Sequence, residues 1–228
     1  MLVQLLTHTP EPERLVAAAA RLCYSASSVE ELLQHDSARR EALLAKILSV
    51  GHLSTLEHVS FTFGVEGVSR ACSHQLVRHR LASYSQQSQR YVSHKDRFAA
   101  VIPPSIAGRP ELLAVFEAAM DQAHRVYGEL MEAGVPAEDA RFVLPNAAET
   151  KLVMTMNARE LLHFFALRCC RRAQWEIRAL AMEMLRLVRP AAPRLFEVAG
   201  PGCLHGACPE GAMTCGHAED VRKEFADL

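Results

Sequence analysis

The spacing of apolar residues changes at Val59, and this change constrains the fold more than any other feature of the sequence. Every second residue from Val59 to Val65 is a large apolar one, with small or polar residues between them, which is the two-residue period of a half-buried strand. The flanking segments, at about 29–50 and 68–79, have the spacing of helices instead. A strand between helices of this kind predicts a mixed fold.

The rest of the chain adds further elements of both kinds. We predict strands at 2–8 and 149–156, helices at about 110–132 and 158–188, a short helix around Arg141, and a loop-like tail from Gly200. Pro190 is expected to end the longest helix. Because strands and helices do not alternate regularly, the pattern favours an α+β fold: a single domain of long helices packed on a small, mostly antiparallel sheet.

Composition limits the possible functions. The formal net charge is −1, which argues against a non-specific hold on nucleic acid or on an anionic membrane. No apolar run approaches the roughly 20 residues that a membrane helix needs. The seven cysteines, with no recognisable secretion signal, favour reduced thiols and a cytoplasmic protein. There is no GxGxxG turn and no GxxxxGK[ST] loop for a nucleotide.

The segment 78–91 concentrates arginine, serine and glutamine side chains. Such a segment makes poor core material, whereas guanidinium groups and hydroxyls together suit a phosphate. Composition alone leaves a phosphate site and a solvated basic loop equally open. Nucleic-acid binding is a further alternative, which the near-neutral net charge disfavours. It would use Arg78, Arg80, Arg90, Lys95 and Arg97.

The same segment fits the pattern RHRxxSxxxxSxR, with Ser83 and Ser88 at the two serine positions. Other segments accompany it in a particular order: GHLSTLEHVSFTF at 51–63, Gln75, GVPAEDARFVLP at 134–145 and MNARELLHFFALRCCRRAQWEIR at 156–178. Together they resemble the flavin-dependent thymidylate synthase family. A lone RHR would be weak support, but the ordered set spans most of the chain.

The resemblance implies an activity and an assembly. Enzymes of that family use reduced FAD, NADPH and methylenetetrahydrofolate to convert dUMP to dTMP, with release of tetrahydrofolate. They are homotetramers with active sites at subunit interfaces. For this chain the resemblance therefore implies FAD as cofactor, a catalytic domain over 1–200, and a Cys- and His-containing tail over 201–228. It implies neither a nucleic-acid nor a membrane partner.

The resemblance also implies site residues, carried over position by position. The residues expected to bind dUMP are Gln75, Arg78, Gln86, Gln87, Ser88, Gln89, Arg90, Arg141 and Arg168. Those expected to bind FAD are His52, Ser54, Glu57, Arg78, His79, Arg80, Gln86, Asn157, Arg159 and His163. Arg168 is the expected catalytic residue, because an arginine against the pyrimidine edge increases electron density at uracil C5.

Helical periodicity bears on Arg168 separately from the resemblance. At 100° per residue, Arg168 and Arg172 share a stripe with the large apolar residues Leu161, Phe164, Phe165 and Trp175. An arginine on such a face needs an anion or a carboxylate. From the residues alone, a buried ion pair, for instance between Arg172 and Glu176, competes with a ligand role. With the resemblance, we expect the ligand role for Arg168, and Arg172 stays open.

Two functional alternatives remain from the sequence. Ser88 can be read as a nucleophile activated by His79, although we expect it to bind substrate, because polarised uracil needs no enzyme nucleophile. The whole chain can also be an RNA- or flavin-binding protein without synthase activity. Gln86 and Arg172 favour this second alternative, since many members of the family have Glu and His there.

The cysteines suggest a last pair of alternatives. Cys203, Cys208 and Cys215 lie near His205 and His217 in the tail, and three thiols with an imidazole can bind zinc. The C-x4-C-x6-C spacing is not that of a standard zinc knuckle, so we expect free thiols and no metal. The other cysteines, Cys23, Cys72, Cys169 and Cys170, are expected in the core.

Overall fold

The computed structural model of the chain describes residues 1–34, 37–93 and 97–228. Lys95, one of the basic residues considered for nucleic-acid binding, lies outside these ranges. The strands are β1 (Leu2–His8), β2 (Ser60–Ser69), β3 (Ala82–Gln86) and β4 (Glu149–Asn157). They form an antiparallel four-stranded sheet in the order β1-β2-β4-β3. The α+β class is therefore confirmed.

Along the chain, helices precede, separate and follow these strands. They are α1 (Pro12–Leu22), α2 (Val29–Leu33), α3 (Ser37–Val50), α4 (Arg70–Leu76), α5 (Pro104–Ala107), α6 (Pro110–Glu132), α7 (Ala137–Ala140), α8 (Ala158–Arg168), α9 (Trp175–Ala191) and α10 (Ala218–Ala226). Short 3-10 helices occupy Leu53–His58, Arg141–Val143, Gly202–Leu204 and Gly211–Met213. No helix in the described ranges combines the length and apolarity that spanning a membrane requires.

The chain divides into two compact units, each assembled from separated stretches of sequence. One unit contains residues 1–2, 65–78 and 84–153. The other contains residues 3–64, 79–83 and 154–228.

In the first unit, the junction between β2 and α4 is fixed by hydrogen bonds. The Ser69 side chain caps α4 by accepting from the Cys72 amide at 2.9 Å. The Arg70 amide donates to the Ala148 carbonyl at 3.0 Å. This cap ends β2 and starts α4 at Arg70, so the helix predicted from 68 begins two residues later. The alternating pattern itself is confirmed, because the side chain of Val65 is fully buried.

In the second unit, aromatic rings form the centre of the core. Phe61, Phe164, Phe165 and Phe196 are fully buried. Phe196 meets Phe61 edge-on at 5.3 Å and Phe165 at 6.0 Å between ring centroids. Each such pair contributes about 0.5–1.5 kcal/mol beyond the burial of its area. The alternation that begins at Val59 thus supplies one side of this aromatic core.

The long helix predicted over 158–188 is wrong. It is two helices, because α8 ends at Arg168 and α9 begins at Trp175. The Gln174 side chain accepts from the backbone amides of Glu176 and Ile177, at 3.0 and 3.1 Å, and so caps a new helix start. Pro190 lies inside the last turn of α9 rather than beyond its end.

Three other boundaries and placements differ from the predictions. The helix predicted over 29–50 is divided into α2 and α3, and residues 35 and 36 between them lie outside the described ranges. The tail is not simply loop-like, since it contains α10. Cys72 and Cys169 are buried as expected, whereas Cys23 is exposed and Cys170 is partly exposed.

Gly200 provides a test of how the tail packs in the second unit. Its φ of +145° disfavours any side chain, and a Cβ there would lie 2.7 Å from Phe225 Cε1 and also clash with Leu204. We expect Gly200→Ala to lower the free energy of unfolding by about 1–3 kcal/mol in denaturant titrations.

The matched control for this substitution is Gly128→Ala in α6. A Cβ at Gly128 meets nothing within 4 Å. Its helical position predicts an unchanged or slightly higher stability, by about 0.5–1 kcal/mol. Equal effects of the two substitutions would contradict the packing described for Gly200.

Candidate functional site

A large concave surface lies beside the 3-10 helix Leu53–His58 in the second unit. Its cavity volume is about 860 Å³, and residues of α1, α3 and the segment 51–55 line it together with Arg159. His52 and Ser54, two of the residues expected to bind FAD, are exposed on this lining. A cavity of this size falls in the range of small-molecule and cofactor sites.

Arg159 is joined to a second expected FAD residue, Glu57. Arg159 Nη1 donates to Glu57 Oε1 at 2.5 Å, and both side chains are about half exposed. Asn157 is placed beside them for a different reason, since its side chain caps α8 by accepting from the Glu160 amide at 2.8 Å. The first turn of α8 therefore presents Arg159 outwards while Asn157 holds the turn.

His79 lies at the centre of a buried polar network. Its Nδ1 is 3.0 Å from Glu160 Oε1, and Arg168 Nε donates to its Nε2 at 3.0 Å. A carboxylate accepts at Nδ1 and a guanidinium donates at Nε2, so these contacts assign a neutral imidazole with its proton on Nδ1. His79 thereby connects the buried Glu160 carboxylate to the Arg168 guanidinium.

Burial and packing keep this imidazole neutral. Burial lowers the pKa of His79; the hydrogen bond with Glu160 opposes this shift and the charge of Arg168 reinforces it. The ring packs edge-on against Phe164 at 4.9 Å and against His163 at 5.9 Å between centroids. Only 4% of His79 is exposed, whereas His163 is exposed at the surface.

In the first unit, the signature segment is not a loop throughout. Residues Ala82–Gln86 form β3, which the sequence did not predict. Gln86 Nε2 donates to Ser73 Oγ at 3.0 Å and to Thr150 Oγ1 at 3.1 Å. The Gln87 amide continues the pairing to the Lys151 carbonyl at 2.9 Å. The interpretation of 78–91 as a solvated loop is therefore wrong for its central part.

Two arginines expected to bind phosphate meet at Glu138. Arg90 Nε donates to Glu138 Oε2 at 2.7 Å, and Arg141 Nε donates to the Glu138 carbonyl at 3.0 Å. Ser88 Oγ accepts from the Arg90 amide at 3.1 Å. Burial, and then the charge of Arg141, lower the pKa of Arg70. This cluster is a local concentration of positive charge, which suits an anion.

The remaining expected residues lie close to the surface. Arg78 and Arg80 are exposed, while Gln75, Gln87 and Gln89 are partly exposed. Their ligand roles stay predictions.

The helical stripe that we predicted around Arg168 is confirmed only in part. Leu161, Phe164 and Phe165 are fully buried as expected. Arg172 lies in the segment between α8 and α9, where it donates to the Met213 carbonyl and the Glu210 carboxylate. Trp175 begins α9 and is 39% exposed. Their placement on the stripe was wrong because the helix ends at Arg168.

Sequence reasoning missed Glu160 and Glu138. Glu160 stands three residues after Asn157, which is the spacing of a helix-capping pair, and nothing in that spacing indicates a buried carboxylate. It is instead 5% exposed and bonded to His79. Glu138 had no signal of its own beyond its position three residues before Arg141.

Comparison with known proteins gives one consistent result. The family model described as thymidylate synthase complementing protein matches residues 4–194. The chain is 61% identical to the flavin-dependent thymidylate synthase of Geobacter sulfurreducens, over 100% of this chain and 99% of that protein. It is 50% identical to the Clostridium tetani enzyme of the same name, over 98% and 96%. The Nitratidesulfovibrio vulgaris enzyme is 52% identical, over 94% of each chain.

The lowered pKa of His79 predicts a pH-dependent stability. As pH falls through about 6.5, the unfolded chain protonates His79 while the folded chain resists protonation. The unfolded state then binds more protons, so the free energy of unfolding falls with falling pH, by at most about 1.4 kcal/mol per pH unit from this group. His79→Gln should reduce that slope in denaturant titrations between pH 5 and 8.

Thr62→Val is the control for the pH titration. It removes a non-titrating hydrogen bond of 2.9 Å between Thr62 and Thr155 in the same unit. We expect it to shift stability equally at every pH. A slope in His79→Gln identical to that of the unsubstituted protein would contradict the proposed neutral imidazole.

Proposed function

The chain belongs to the flavin-dependent thymidylate synthase family, and we propose that it methylates dUMP to dTMP with FAD as cofactor. Methylenetetrahydrofolate is the proposed carbon donor, NADPH the proposed reductant of the flavin, and tetrahydrofolate the product. The observation that carries the proposal is Arg168, a guanidinium fixed by the buried His79–Glu160 pair at the position expected for the catalytic arginine. Nothing in the comparisons favours the alternative of a binding protein without synthase activity.

The second unit offers a fitting site for FAD. The cavity of about 860 Å³ is lined by His52, Ser54 and Arg159, whose guanidinium suits a diphosphate. Glu57 orients that guanidinium through its ion pair. We assign Arg78, Arg80, Asn157 and His163 to the same cofactor by resemblance. Bound FAD, once reduced, supplies the hydride for the reaction.

Arg90, Arg141 and Ser88 form the proposed phosphate site for dUMP. A nucleotide monophosphate is a dianion, and guanidinium groups bind it through two parallel hydrogen bonds. Glu138 engages only the Nε atom of Arg90 and, through its carbonyl, the Nε atom of Arg141. The terminal nitrogens of both arginines are therefore the groups that we assign to the phosphate.

Arg168 is the proposed catalytic residue, acting on the uracil ring. Its Nε donates to His79, which sets the orientation of the guanidinium plane. The terminal nitrogens can then donate to the pyrimidine edge and favour its ionised form, which increases electron density at C5. Since this polarised carbon can attack the folate methylene directly, Ser88 is proposed as a binding residue and not as a nucleophile.

We propose that His79 and Glu160 act through Arg168. His79 has both ring nitrogens engaged within the protein, so it serves as a bridge between Glu160 and Arg168. The network compensates the charge of Glu160, because the His79 ring donates to Glu160 and accepts a hydrogen bond from the cationic Arg168. In this assignment Glu160 is a positioning residue.

A homotetramer with shared active sites is the proposed assembly. Exposed apolar side chains directly follow three of the site arginines: Leu81 after Arg80, Tyr91 after Arg90 and Phe142 after Arg141. Their exposed fractions are 69%, 82% and 83%. We propose that neighbouring copies cover these three side chains in the assembly. Subunit contacts at these residues would place neighbouring copies beside the binding residues and let them complete the site.

The remaining assignments rest on the resemblance. Gln75, Gln86, Gln87 and Gln89 are proposed to contact dUMP, and Gln86 also FAD. Gln86 has already committed its amide nitrogen to Ser73 and Thr150, which leaves its carbonyl oxygen for a ligand. We propose residues 1–200 as the catalytic domain and residues 201–228 as its tail.

Two measurements test the activity itself. The purified protein should be yellow, and added dUMP should perturb the flavin absorbance. Tritium should be released from dUMP labelled at C5, in a reaction dependent on NADPH and methylenetetrahydrofolate. A protein that cannot be reconstituted with FAD, or that releases no tritium when flavin is bound, would overturn the proposal.

Arg168→Lys should separate catalysis from cofactor binding. Lysine keeps the charge but loses the planar fork, so we expect kcat for dTMP formation to fall roughly 100- to 1000-fold. FAD content, read from the flavin absorbance, should stay near one per chain. Arg186→Lys on α9, whose exposed side chain pairs with Glu183, is the matched control and should keep full activity.

Arg90→Ala tests the phosphate site independently of the chemistry. A charged hydrogen bond contributes about 1.5–3 kcal/mol, so the Kd for dUMP should rise roughly 10- to 150-fold. Titration of the flavin absorbance with dUMP measures this change. Arg125→Ala on α6 removes a comparably exposed arginine and should leave the Kd unchanged. Binding of deoxyuridine, which has no phosphate, should be weak and equal in both variants.

A further inference from the structure

The arginine to which we assign the chemistry stands at the end of its helix. Arg168 is the last residue of α8, and the next helix, α9, begins at Trp175. Helix ends fray, because their last carbonyl groups have no partner within the helix. A guanidinium that must meet one edge of a pyrimidine therefore depends on what holds the chain just beyond α8.

Arg178 holds the residue that follows Arg168. Its Nε donates to the Cys169 carbonyl at 3.2 Å. Cys169 is fully buried and closes α8, since its amide donates to the Phe165 carbonyl at 3.0 Å. An arginine that binds a carbonyl at the end of a helix caps that end, and its positive charge is favourable there. Arg178 therefore belongs to α9 but stabilises the end of α8.

The tail supplies the counter-charge for Arg178. Both carboxylate oxygens of Glu224 accept from Arg178 Nη2, at 2.7 and 2.8 Å. The side chains of Arg178 and Glu224 are only 23% and 31% exposed, so water and salt screen this pair less than a fully exposed one. A cation near the start of a helix also opposes the dipole of that helix, and the Glu224 charge offsets this opposition.

Glu224 is held in place by the packing of α10. The neighbouring side chains of Val221 and Phe225 are buried. Phe225 lies against Gly200, where a Cβ would clash with its ring. Because these contacts fix α10, the carboxylate is presented from a fixed position. Glu224 lies beyond residues 4–194, the range that the family model matches.

We propose that Glu224 and Arg178 are positioning residues for Arg168, so that the tail forms part of the framework of the active site. The path of contacts runs from Glu224 through Arg178 to the Cys169 carbonyl, and from there along the backbone to Arg168. His79 orients the guanidinium at the other end of the same side chain. This role depends on the proposed function of Arg168.

Glu224→Gln tests the path with little change in side-chain size. The amide loses the charge that holds Arg178, and we expect kcat for dTMP formation to fall roughly 10- to 100-fold, since a small misplacement of a reacting group has an effect of that order. FAD content should stay near one per chain. Arg178→Lys, whose single nitrogen cannot replace both Nε and Nη2, should lower kcat similarly. Full kcat in both variants would overturn the proposal.

Asp220→Asn is the matched control. Asp220 is a second carboxylate of α10 and pairs with Arg171 at 3.4 Å, outside the path to the Cys169 carbonyl. Arg171 also lies 3.6 Å from Glu224, so this variant controls for a lost charge beside Arg171. We expect Asp220→Asn to keep full kcat. An equal loss of kcat in Asp220→Asn and Glu224→Gln would contradict a specific path through Arg178.

A double-mutant cycle shows whether Glu224 acts through Arg168. If it does, Glu224→Gln should lower kcat no further in a protein that already carries Arg168→Lys. In a protein that carries Arg90→Ala, where the proposed phosphate site is changed instead, Glu224→Gln should keep its full effect on kcat. A residue that only stabilised the fold would lower kcat by the same factor in both backgrounds, and that result would exclude a positioning role.

Hydrogen exchange separates a failure of this role from a failure of the proposed function. The amides of Cys169 and Ala173 are hydrogen-bonded at 3.0 and 2.9 Å. Peptides that contain them should exchange faster in Glu224→Gln than in the unsubstituted protein or in Asp220→Asn. Faster exchange in a protein that makes no dTMP would refute the proposed function but support the hold of the tail on this segment. Unchanged exchange in Glu224→Gln would refute that hold, whatever the activity.

Discussion

The buried Glu160 carboxylate constrains how the second unit can fold. Removing a carboxylate from water costs several kcal/mol unless hydrogen bonds and an opposite charge compensate it. His79 supplies the hydrogen bond and Arg168 supplies the charge through the far side of the imidazole ring. These two contacts fix three parts of the chain relative to one another: the segment after α4, the first turn of α8 and the last residue of α8. A structural necessity therefore sets the orientation of the guanidinium to which we assign the chemistry.

The arginines of the first unit are held in a different way from Arg168. Arg90 and Arg141 stay largely at the surface, where an ion pair contributes little to stability. Glu138 engages one nitrogen of each and so limits their conformations. Arginine side chains held in this way lose less conformational entropy when an anion binds. The contrast with Arg168 is one of burial: one guanidinium is held by a buried network, and the other two are held by a surface carboxylate and carbonyl.

Short-range patterns predicted much of the fold because their causes are local. The alternation after Val59, the strands at 2–8 and 149–156 and the helix at 110–132 each depend on periodicity or on flanking Gly and Pro. The break between α8 and α9 escaped prediction because its cap comes from Gln174, a residue type that gives no strong helix-start signal. β3 was missed because its polar residues pair with β4, a strand some 65 residues away in the sequence.

The sequence by itself determined the family, the cofactor and the set of candidate residues, because an ordered series of motifs can be recognised without knowing which residues are in contact. Only the tertiary structure decided which of those residues act together. It joined His79, Glu160 and Arg168 into one network and joined Arg90 and Arg141 at Glu138. Burial is the physical reason. The cost of an uncompensated charge depends on how far it lies from water, and that distance is a property of the folded chain.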